Sequence, residues 1–232
     1  MDEARGLVSD QTLWPLVRGF LWDFVPQIHP SWLEGLDVED RMSAGMGKDF
    51  RLSDLLLSRE ASPRIKRVIL EQFGISPCFH AFPKDDWSRL LLLDGSMLES
   101  MAKWLGALAC ADGLRRVTAG ATVRELKSTL SGVYPEVFGF TMYFKGFDVF
   151  AEDVEGHDVP VSGNGVVSVG CKLLLALLGG VPDPILSRLK FKLPKSLCDL
   201  CVLSGNAGAR PDQSFVAKLL KLKFTEAYKL CC

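Results

Sequence analysis

An apolar run from Val166 to Leu178 stops hard at Gly179-Gly180. Val181-Pro182-Asp183-Pro184 follows, and then the basic stretch Arg188-Leu189-Lys190-Phe191-Lys192-Leu193-Pro194. The run predicts a helix that is apolar on every side and therefore buried. Two glycines and a Pro-x-Pro break prevent it from continuing. Other elements must then cover that helix, so the rest of the chain has to supply packed faces around it. The run spans 13 residues and carries Ser168, Gly170 and Lys172. A membrane span takes about 20 apolar residues, so the helix is expected inside a globular protein.

The remaining pattern supplies those faces as helices. Leu13, Leu16, Val17, Phe20 and Phe24 recur at helical spacing and predict a helix over 9–24, with Pro15 in its first turn. Pro26 ends it, and Ser31 starts a short helix with Trp32 and Leu33. His29 reads as a hydrogen-bonding residue at a helix start. Residues 37–51 read as a loop and Leu52–Leu57 as a short helix. Ser62-Pro63 opens a helix that Gly74 closes, and residues 75–82 form an extended connector. The Leu-rich block divides at Gly95 into Trp87–Leu93 and Ser96–Cys110. Asp112-Gly113 breaks the chain again before Leu114-Arg115-Arg116-Val117, and Thr122–Leu130 is a further helix.

Residues 131–165 mix aromatics, glycines and the acidic run Glu152-Asp153-Val154-Glu155, and read as a strand or an irregular packed segment. Gly163-Asn164-Gly165 reads as a turn, and a small β-hairpin fits around residues 138–162. After Pro194 come Leu197–Leu203, a connector at 204–211, and one amphipathic helix from Asp212 to Leu230. The fold class expected is mainly α, as a single irregular multi-helix domain over residues 1–232.

With 232 residues and 48% hydrophobic content, the chain can build a substantial core. Its net charge of -1 argues against nucleic acid as a partner. The charge is uneven. Residues 1–60 hold 6 basic and 11 acidic residues, net -5, and residues 61–184 hold 12 and 14, net -2. Residues 185–232 hold 9 and 3, net +6. The acidic head and basic tail either attract each other within one fold or face two oppositely charged partners. Met1-Asp2-Glu3-Ala4-Arg5 lacks the basic and apolar regions of a signal peptide, so the expected compartment is the cytosol. The seven cysteines are expected as thiols there.

No reaction chemistry stands out. Cys198-Asp199-Leu200-Cys201 is one CxxC with no second pair, and Cys231-Cys232 are adjacent, a poor geometry for a tetrahedral site. His29, His80 and His157 have no partner at ligand spacing. Asp85-Asp86 suits a helix N-terminus, and Gly163-Asn164-Gly165 has no phosphate-loop lysine after it. Catalytic, cofactor-binding and metal-binding residues are all expected to be absent. Arg188, Lys190 and Lys192 alternate with Leu189, Phe191 and Leu193, which suits a strand edge or extended segment facing an acidic partner or anionic headgroups. On that reading, Arg188→Glu with Lys190→Glu weakens partner binding and leaves stability unchanged.

Three stretches resemble the SctK family, the YscK/PscK-like cytosolic K subunit of bacterial type III secretion systems. They are Ile28-His29-Pro30-Ser31-Trp32-Leu33, then Leu90 to Val117 ending in Leu114-Arg115-Arg116, then Gly170 to Pro194. The cysteine content and the aromatic 131–165 segment depart from the family's pattern. The resemblance implies a non-enzymatic adaptor in the bacterial cytoplasm, in the sorting platform beneath the injectisome. There the family links the cytosolic domain of the inner-membrane ring protein SctD to the pod protein SctQ, with SctL and the SctN ATPase further along. It implies no membrane insertion, with a peripheral place at the inner membrane open. Candidate partner-binding residues are Arg188, Lys190, Lys192, Lys195, Arg115, Arg116 and Trp32. The alternatives are a secretion chaperone or other helical binding module, and a small enzyme with a dispersed active site.

Overall fold

A computed structural model describes residues 10–34, 62–75, 82–83, 86–141, 162–201 and 211–231. Among these residues every regular element is helical, as the apolar spacing predicts. In chain order they are α1 (Asp10–Trp22), a 3-10 turn (Val25–Gln27), α2 (Pro30–Leu33) and α3 (Ser62–Gln72). A 3-10 helix (Asp86–Leu92) leads into α4 (Gly95–Ala109), α5 (Ala111–Arg116), α6 (Gly120–Leu130) and α7 (Val133–Phe140). The last are α8 (Gly163–Leu177), α9 (Asp183–Lys192), α10 (Lys195–Cys201), α11 (Gln213–Lys223) and α12 (Thr225–Cys231).

The centre of the fold is the crossing of α4 on α8. Helix α8 buries Val166, Val167, Val169, Leu173, Leu174 and Leu177, and α4 buries Leu98, Met101, Leu105 and Leu108. Each such side chain contributes about 1.5–3 kcal/mol by leaving water. The two backbones touch where both helices carry small residues. A methyl group built at Gly170 overlaps the Ala102 carbonyl oxygen, and one at Gly106 overlaps the Val166 carbonyl oxygen. Gly95 meets the backbone of Lys192 just as closely. Helices α6 and α10 pack on α8, α7 on α4, and α12 on the 3-10 helix before α4.

Local signals account for the helix ends. The Asp94 carboxylate caps α4, accepting from the Met97 amide and the Ser96 hydroxyl, each at 2.7 Å. Those two bonds, Ser96 first, hold its carboxyl below the usual carboxylate range. Gly74 ends α3 in the left-handed region at φ 64°, the conformation that favours glycine at a C′ position. His29 caps α2, its Nδ1 accepting from the Ser31 amide at 3.2 Å.

Several expectations need correction. Residues 183–192 form a helix, so the basic stretch is no strand edge or extended segment. Gly163-Asn164-Gly165 is the first turn of α8 rather than a turn before it, because the Ser162 hydroxyl accepts from the Gly165 amide at 3.1 Å. Residues 133–140 are helical and bury Val133, Tyr134 and Val137, an i, i+1, i+4 face hidden by the aromatic and glycine content. Asp112-Gly113 lies inside α5. The C-terminal helix is two helices, broken at Phe224. Pro15 sits inside α1 beyond the first turn and removes one rung of its ladder. The segment Trp87–Leu93 is largely a 3-10 helix, with Trp87, Leu90, Leu91 and Leu92 all buried. The loop at 37–51, the helix at 52–57, His80, His157, the acidic run at 152–155 and residues 142–161 of the hairpin region lie outside the described residues, as do residues 204–210 of the connector.

Candidate functional site

Helix α9 has two faces with opposite fates. Ile185, Arg188, Leu189 and Lys192 point inward, at i, i+3, i+4 and i+7, and all four are buried. Arg188 is 2% exposed and Lys192 1%. Arg188 Nη1 donates to the Phe20 carbonyl at 2.5 Å and the Leu21 carbonyl at 3.0 Å. These lie in the last turn of α1, where a helix leaves carbonyls without intrahelical donors and carries partial negative charge. The guanidinium also lies 5.3 Å from the Phe24 ring centroid and 5.8 Å from that of Phe20. It is therefore a C-terminal clamp for α1, assembled across 168 residues of chain.

Lys192 acts in the same way on the next element. Its Nζ donates to the Leu91 carbonyl at 2.7 Å and sits 5.4 Å from the Phe20 centroid. Burial pushes its ammonium down to about 7, against a smaller upward pull from the Asp94 carboxylate. Both cations were candidate contacts for a partner. In the fold both are buried, and their charged atoms bond the protein's own carbonyls instead of facing outward.

The outer side of the joint is different. The Trp32 indole N–H donates to the Leu193 carbonyl at 2.9 Å, and the His29 amide to the Phe191 carbonyl at 2.7 Å. The Lys195 amide donates to Ser31 Oγ at 2.9 Å. Trp32, Phe73 and Phe191 form a ring cluster, with Phe191 5.0 Å from Trp32 and 4.9 Å from Phe73. Two exposed lysines lie over it, Lys190 at 4.6 Å from Phe191 and Lys195 at 5.9 Å from Trp32. Trp32 is half-buried and serves chiefly as the peg that joins α2 to α9. Lys190 and Lys195 remain the surface cations of this region.

Arg115 and Arg116 lie elsewhere, at the end of α5, and both are exposed. Arg115 bonds Asp112 at 2.7 Å and also Thr141 Oγ1. The sequence-predicted set thus splits into a buried pair, an outer lysine pair around Trp32, and a separate arginine pair. Cys198, half of the CxxC, is buried and its thiol donates to the Lys190 carbonyl at 2.9 Å. Among the described residues no three His, Cys, Asp or Glu side chains form a group able to hold a metal ion, and no helix is long and apolar enough to cross a membrane.

Sequence reasoning missed one surface. Trp14 and Trp22 of α1 are 55% and 46% exposed, with rings 5.6 Å apart, and they line a groove of about 440 Å³ with Pro15, Arg18, Gly19 and Asp23. Leu16, assigned above to the apolar stripe, is also exposed. The available signal was the four-residue spacing of Trp14, Arg18 and Trp22, which sets them on a face apart from Val17, Phe20 and Phe24.

The three stretches that carry the resemblance meet here: residues 28–33 bond 191–195, and Leu91 bonds Lys192. A model of the family described as YOP proteins translocation protein K (YscK) matches residues 27–232. The chain belongs to the YscK family. It is therefore a protein of type III secretion, of the group also called SctK. The matched region begins just before the α2 peg and includes both clamps of α9. No curated protein and no solved structure matches the chain.

Proposed function

We propose that this protein is a non-enzymatic adaptor of the type III secretion sorting platform. As one helical domain over residues 1–232, it links the cytosolic domain of the ring protein SctD to the pod protein SctQ, and through them meets SctL and the SctN ATPase. It works in the bacterial cytoplasm at the cytosolic face of the apparatus and supports effector secretion. The observation that carries this reading is the family match over residues 27–232. The arrangement of α9 is in keeping with it. Its inward cations hold α1 and the 3-10 helix, Trp32 and His29 tie α2 to the end of α9, and Lys190 and Lys195 stay outside as charges a partner can meet. Exposed charges of this kind steer encounter and set orientation, while apolar contacts supply most of the affinity.

The test is a pull-down of the tagged chain from the cytosol of its own bacterium at low and moderate salt, followed by mass spectrometry. Recovery of SctD or SctQ is expected. Recovery of neither at low salt, with a small molecule bound instead, refutes the adaptor reading.

A further inference from the structure

We draw no further inference here: the strongest candidate, the apolar pocket of about 90 Å³ lined by Cys171 and Leu174 of α8, Leu186 and Leu189 of α9 and Cys198 of α10, carries nothing because nothing in the structure shows what covers it.

Discussion

Lys192 makes stability depend on pH in a way that can be isolated. Its ammonium is 1% exposed, bonded to one carbonyl, and brought down from 10.5 to about 7 by burial. That difference is worth about 5 kcal/mol between the two protonation states. The unfolded lysine keeps its proton up to about pH 10.5, whereas the folded one releases it near 7. Between those values the unfolded state binds more protons, so stability rises with pH, by at most about 1.4 kcal/mol per pH unit. Below pH 7 both states are charged and the contribution is constant. The perturbation is Lys192→Met, which keeps the length of the side chain and removes the charge. It also leaves the Leu91 carbonyl without its donor, at about 1–3 kcal/mol, but that cost does not vary with pH. Urea midpoints of wild type and variant are compared at several values from pH 7 to 10. The difference between them is expected to move by about 3–4 kcal/mol in favour of wild type as pH rises. Thiols and other groups that titrate in this window act on both proteins and cancel. Parallel stability curves for the two proteins refute the reasoning, since they mean the ammonium is not desolvated in the fold.

Three further outcomes follow from the packing. Gly170→Ala forces a methyl into the Ala102 carbonyl at the α4–α8 crossing and is expected to cost about 3 kcal/mol or more by urea denaturation, with Gly120→Ala, which meets nothing within 4 Å, as a near-neutral control. Arg188→Leu leaves the Phe20 and Leu21 carbonyls without this donor and is expected to cost about 3 kcal/mol, read from the same unfolding curves. Lys190→Glu with Lys195→Glu is expected to change stability by no more than about 0.5 kcal/mol while lowering recovery of the secretion partners at low salt. An equal fall in stability assigns these two lysines to the fold instead.

The helical class and the central Leu-rich pair were legible because they rest on period and breakers, which are local. The Gly95 boundary, the Gly74 stop and the His29 cap all belong to this kind of signal. What was not legible depended on partners distant in sequence. Nothing near residue 106 or 170 announces that the two helices touch backbone to backbone. Glycine in a buried helix reads as a weak former until its neighbour is known. Helix α7 was obscured for a related reason. Its aromatics suit a pleated surface by propensity, and only burial of Val133, Tyr134 and Val137 against the core decides for the helix.

The basic stretch shows how one misjudged period alters a functional reading. Taken two residues at a time, Arg188, Lys190 and Lys192 share a face and look like a charged edge offered to a partner. Taken at the helical period, Arg188 and Lys192 share a face with Ile185 and Leu189, and Lys190 points away. Pro184 in the first turn was the available cue for the helical reading. Even with the period known, cations on an apolar face normally imply a misassigned face, since burying them is costly without partners. The partners are the open carbonyls at the end of α1 and of Leu91, which exist only once those elements have formed. The charge that sequence reasoning assigned to recognition therefore works one step earlier. It fixes α1 in place, and of the three cations in the stretch only Lys190 is turned outward.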